Sequence, residues 1–317
     1  MHTVCVIATT GPLAVLEPVG FRSHPEVWAL VVFLLGAYVY MIRVIGPHAV
    51  PAGEPSATRR QWLFFIAAIA MLWAASDWPI HDIGEEYLYS VHMLQHMMLS
   101  YFLPPLVLLA TPTWLLRVLL GRGRTYASVQ WLCKPVVAGV IFNLAIMITH
   151  IPSVVNASVE NGPLHYSLHV LVVTTSLLMW MPVLGPIPEF RIGPGAASIY
   201  LFLQSVVPTI PAAWLIFAEG SVYQHYGDQP VRRWGVSVTD DQQLAGAIMK
   251  VGGSIFLWSI VIYFFFARFA AGYANEHSYR RGSQMPDAEI TGHDEDPLTT
   301  ADVEREFAHM PPAREHD

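Results

Sequence analysis

The sequence has 317 residues, of which 54% are hydrophobic and only 13% charged, and its net charge is −7. Soluble domains carry about 25% charged residues, so this composition argues against a soluble globular chain. The lack of a basic patch argues against a nucleic-acid partner, and the two cysteines, Cys5 and Cys133, form neither a disulfide framework nor a paired metal motif.

The apolar residues are concentrated in runs long enough to cross a bilayer. In chain order the expected spans are Pro25 to Val44, Gln61 to Trp78, Tyr87 to Ala110, Pro135 to Ile151, Leu164 to Leu184, Ala196 to Ala218, and Gln243 to Phe269. Backbone that faces lipid must satisfy its own hydrogen bonds, which makes each span helical. The expected fold is an all-α polytopic membrane protein with a seven-helix transmembrane bundle. Pro104 and Pro105 interrupt the third span, and Pro208 and Pro211 the sixth. Each proline removes a backbone donor and favours a kink.

Orientation follows from the basic loop residues. One side of the membrane would hold Arg43, Arg59, Arg60, Arg117, Arg122, Arg124, Lys134, Arg191 and the basic residues of the tail. The other would hold Arg22, Arg232 and Arg233. The expected topology is therefore N-terminus out and C-terminus in. The domain reading is an outer N-terminal segment (1–24), a membrane domain (25–270) and a disordered acidic cytoplasmic tail (271–317), with a short helix from Ala301 to Phe307.

An ionisable residue inside a span is a functional candidate by default. His92 and His96 lie four apart on the third span, and His165 and His169 repeat that spacing on the fifth. Residues four apart share a helix face. His150 ends the fourth span, with Met147 one turn below it. All five histidines fall in the outer half under the expected topology. Imidazole binds copper, zinc, iron and nickel, and thioether sulfur favours Cu(I). Met147 and Met249 supply sulfur nearby, so the mixture leans towards copper. Gln95 and Asp241 are candidates to orient an imidazole from behind. Asp77, His81 and Asp82 fall in the outer loop after the second span, as metal-receiving or solvated groups. Lys250 is a charge inside the seventh span, either snorkelling to the surface or functional.

No nucleotide loop or nucleophile motif is present, so the chain is not read as an enzyme. Three non-enzymatic alternatives use the same residues. A copper transporter would need access from both sides. A haem-binding electron-transfer protein would use His96 and His169 as axial ligands. A retinal protein would use Lys250.

The run His92-Met93-Leu94-Gln95-His96 followed by Pro104 and Pro105 resembles the third-helix motif of the seven-span CtaG family of cytochrome c oxidase assembly factors. Thr149-His150-Ile151-Pro152 resembles that family's fourth-helix end, and His165 and His169 followed by Trp180 and Pro182 its fifth helix. Asp241-Gln242-Gln243-Leu244-Ala245-Gly246 with Met249 resembles its seventh-helix entry. The likeness spans about residues 25 to 270, and Lys250 stands where many relatives carry an aromatic. The resemblance implies a role in maturing a haem–copper oxidase by copper supply at the outer face of a bacterial plasma membrane. The implied partners are oxidase subunits, membrane lipid and an external copper donor.

Overall fold

The computed structural model describes residues 20–229, 233–283 and 300. Among the described residues all regular structure is helical. The chain divides into two units, Met1–Ala267 and Arg268–Asp317. The described part of the second unit is helical as far as Ser283. Residues 271–283, expected in a disordered tail, are thus helical, while the expected helix from Ala301 to Phe307 lies outside the described residues.

Six helices are long and apolar enough to cross a membrane: Pro25–Ala49, Arg59–Glu86, Tyr89–Ala110, Gly162–Leu184, Pro194–Phe217 and Val238–Ala270. They coincide with the first, second, third, fifth, sixth and seventh expected spans and keep those ordinals here. The expected fourth span is the helix Pro135–Thr149, whose 15 residues reach about 22 Å at 1.5 Å per residue. It qualifies as a seventh span only together with Arg124–Leu132, from which it bends by 71°. Arg124–Leu132 has no buried residue.

Local sequence sets the ends and breaks of these helices. Thr58 and Gln61 form a reciprocal capping box at the start of the second helix. That helix reaches Ser76, and a further short helix, Ile80–Glu86, replaces the loop expected there. A second short helix, Pro152–Glu160, fills the connection after His150. The sixth helix breaks between Val206 and Thr209 at Pro208. Lys250 Nζ donates to Ser205 O at this break (3.0 Å), giving a carbonyl there a charged partner. Pro104 and Pro105 start an α-helical stretch after a π-helical turn, Met98–Phe102. The first and seventh helices contain π turns as well, at Met41–Ile45 and Ile248–Gly252. Such turns recur at functional sites.

The main apolar core joins the third, fourth, fifth, sixth and seventh helices through Met97, Phe142, Trp180, Leu201, Leu215 and Leu257, all at or near zero exposure. Burial of side chains this large stabilises by about 1.5–3 kcal/mol each in water. In a bilayer the same contacts act through close packing instead. Large apolar residues such as Phe33, Val136, Ile199 and Phe265 remain exposed on the bundle's outside, as a lipid-facing surface requires.

Candidate metal centre

Three helices meet at one end of the bundle, and each supplies a pair of ligand-type residues four apart. The third helix brings His92 and His96, with ring centroids 4.4 Å apart. The fifth brings His165 and His169 (4.2 Å). The short helix Ile80–Glu86 brings His81 and Glu85, with Nε2 and Oε2 3.4 Å apart. The four-residue spacing stacks each pair on one helix face, so three rigid elements aim their polar groups at a common volume.

The ligand atoms of His92, His96 and His169 all lie within 4.8 Å of one another, and all three side chains are internal. Those of His81, Glu85 and His165 gather to the same limit. The two groups touch, because His92 and His165 have centroids 5.8 Å apart and His165 precedes His169 by one turn. His150 joins from the end of the fourth helix, 6.5 Å from His96. Its Nδ1 lies 2.7 Å from Ile146 O. A carbonyl can only accept, so Nδ1 carries the proton and Nε2 keeps a bare lone pair.

Buried polar atoms are normally hydrogen-bonded, yet here several are not. His92 Nδ1, His96 Nδ1, His150 Nε2 and His169 Nε2 are buried without a partner. An unpaired buried donor or acceptor costs about 1–3 kcal/mol. Convergent orphan imidazole nitrogens are the donor set that a borderline metal ion satisfies. The residues present therefore fit a metal.

The surrounding shell holds the third helix in place. Asp241, expected to orient an imidazole, instead accepts the backbone N–H groups of Tyr89 (2.8 Å) and Ser90 (3.0 Å). It caps the third helix at its start, where four N–H groups lack intrahelical partners. Tyr89 stacks on His92 at 5.8 Å and 17°. Tyr223 donates to His150 O at 3.1 Å. Gln242, next to Asp241, accepts from Val222 N and donates to Leu215 O, which ties down the loop carrying Tyr223. Gln95 is fully buried and its Nε2 donates to His81 Nδ1 (3.1 Å).

Other candidates fall elsewhere. Met147 lines a groove between the fourth and sixth helices with Gly139, Asn143 and Gln204. It was expected beside His150, but the fourth helix ends at Thr149, and one residue of helix turns Met147 away from the ring below it. Met249 is buried in the apolar core with Met93 and Met97. Asp77 is buried and accepts from Trp73 Nε1 (2.9 Å), a local contact one turn apart.

Glu85 and His24 were missed in the sequence. His24 stacks edge-on against His81 at 4.8 Å, and its Nε2 lies 3.2 Å from Asp82 Oδ2. Burial lowers the His24 pKa, but hydrogen bonds and charge from Asp82 and Glu26 outweigh it and leave the value raised. Glu85 had a signal, the same four-residue spacing from His81 that marked the other two pairs. Reading residues 77–86 as loop concealed it. An apolar cleft of about 570 Å³ runs between the first, second, third and fifth helices, with His81 and His169 in its wall.

A family model described as cytochrome c oxidase caa3 assembly factor (Caa3_CtaG) matches residues 36–270 of the chain. No curated protein and no solved structure matches it.

Proposed function

The chain belongs to the cytochrome c oxidase caa3 assembly factors, and from that premise we propose that it carries copper to the oxidase and does so without catalysing a reaction. Copper is cargo on this reading, held by His92, His96 and His169, with His150 as a fourth imidazole within reach. The observation that carries the proposal is the convergence of buried, partnerless ring nitrogens from separate helices on one point. Imidazole suits copper, and a haem–copper oxidase needs it. With Met147 in another groove, the site is built from nitrogen donors in place of the mixed sulfur and nitrogen set.

The haem alternative is disfavoured by packing. The His96 and His169 rings stand 5.2 Å apart at 76°, which leaves no slot for a macrocycle between them. The histidines cluster at one end of the bundle, which favours handover on one side over passage through the membrane. That side faces outward in a bacterial plasma membrane under the positive-inside rule. An external donor would load the site, and an oxidase subunit would take copper from it in the plane of the lipid.

The test is copper content of the purified full chain, with oxidase activity measured in cells at matched expression. His96→Ala should lose the copper shared by the three histidines and lower oxidase assembly. Met98→Ala should change neither, because Met98 packs beside Ala68 and Leu99 in a separate apolar cluster. A His96→Ala protein that keeps full copper and supports full oxidase assembly would overturn the proposal. Haem bands in the visible spectrum of the purified protein would do the same.

A further inference from the structure

We propose that His81, Glu85 and His165 form a second metal site, which takes a divalent ion of borderline hardness, Cu(II) or Zn(II), directly beside the three-histidine site. It deepens the carrier reading and rests on it only for the order in which the sites fill.

The placement of the three residues is the first argument. Their ligand atoms lie within 4.8 Å of one another. His165 Nε2 approaches Glu85 Oε1 to 2.5 Å but without hydrogen-bond alignment. The short helix that carries two of the ligands is fixed from two directions. Tyr226 donates to Gly84 O, and His225 Nε2 contacts Glu85 O, each at 2.8 Å. On its other face Gly84 lies so close to the third helix that a Cβ would sit 3.0 Å from His92 N and Cα. Helix-borne ligands under such restraint hold their geometry better than loop-borne ones.

The donor set is the second argument. Two imidazoles and a carboxylate make a harder and more negative site than three imidazoles. That set holds zinc in enzymes, with a fourth position left open. The carboxylate also offsets charge that the inner site leaves uncompensated.

Exposure is the third argument. The His81 and His165 side chains are 2% and 5% exposed, whereas Glu85 is 28% exposed. Glu85 therefore faces the approach, and the imidazoles stand behind it. His165 and His169 are one turn apart with rings 4.2 Å apart, so an ion leaving the first site meets a ligand of the second without crossing apolar protein.

Gln95 is the positioning residue. Its Oε1 is buried without a partner while its Nε2 faces His81 Nδ1. Amide O and N exchange places by a half-turn of the side chain. Turned, Oε1 accepts from His81 Nδ1–H and leaves Nε2 with a lone pair for the ion, the arrangement that ligating histidines use.

The experiment is equilibrium dialysis of the full chain in detergent against Zn(II) and, separately, Cu(II), with metal counted per chain. The wild type should hold two ions, and Glu85→Gln and His96→Ala should each hold one. Glu85→Gln keeps size and hydrogen bonding, and its unfolding temperature checks that the fold survives. Gln95→Leu should weaken the ion lost in Glu85→Gln by about 10- to 100-fold and spare the other. A single ion insensitive to Glu85→Gln would overturn the second site and leave the carrier reading standing. A single ion lost in either variant would show one shared site and overturn the proposal. No ion in the wild type would overturn both.

Discussion

Asp241 carries a carboxylate into the packed end of the bundle and commits it to two backbone donors of another helix. Removing it leaves the Tyr89 and Ser90 amides buried without an acceptor. Each orphaned donor costs about 1–3 kcal/mol, so Asp241→Ala should lower stability by at least that much in thermal unfolding in detergent. It should also loosen the Tyr89 stack on His92 and weaken metal binding indirectly. Unchanged unfolding with lost metal would instead make Asp241 a ligand. The sequence marked Asp241 as polar and membrane-buried but could not tell which helix it would serve, since its partners lie 151 and 152 residues away. Ligand pairs on one helix were legible because four-residue spacing is a local property. His92 with His96 and His165 with His169 were found that way, and Glu85 escaped because its helix was not foreseen.

That helix, Ile80–Glu86, depends on one glycine for its place. With a Cβ at residue 84 the nearest atoms would be backbone of the third helix at 3.0 Å, and backbone cannot swing aside as a side-chain tip can. Gly84→Ala should cost about 1–3 kcal/mol as an overpacking change and push His81 and Glu85 away from His165. The check is unfolding temperature together with zinc stoichiometry, and a variant as stable and as metal-loaded as wild type would show that the two helices separate freely. No apolar run betrays this helix, since Ile80-His81-Asp82-Ile83-Gly84-Glu85-Glu86 is too polar and too short to read as a span. Long helices were legible because burial in lipid demands a continuous apolar run. The short connector Pro152–Glu160, with no such demand on it, was not.

On the scale of the whole molecule, the bundle's two ends differ in charge and in chemistry. Reporter fusions at Asn161, between Glu160 and the fifth helix, should be active outside the cell, and fusions after Ser283 inside, as loop arginines dictate. The opposite pattern would put the histidines on the cytoplasmic side and remove the handover route. Deletion of the chain should lower active oxidase under copper limitation, with partial rescue by added copper. Normal oxidase in that strain would count against the role. The all-helical fold followed from composition and run length, but the fourth helix did not behave as a plain span. Its 15 residues are short for a hydrocarbon core of about 30 Å, and only the bent neighbour Arg124–Leu132 extends it.

The π turn at Met98–Phe102 gives the third helix a change of phase in mid-course. An α-helix advances about 100° per residue, and a π turn holds one residue more than an α turn for the same rise. The half that carries His92 and His96 and the half from Leu103 to Ala110 are therefore two screws cut on one shaft with offset threads. Deleting a single residue from Met98–Phe102 would not merely shorten the helix. It would bring the threads back into step and rotate the lower half by about 100°, swinging Leu103 and Leu108 out of their packed positions while leaving the histidines where they are. Such a deletion should spare metal binding at the upper end and destabilise the bundle below it, and metal content measured beside unfolding temperature reads the two halves separately.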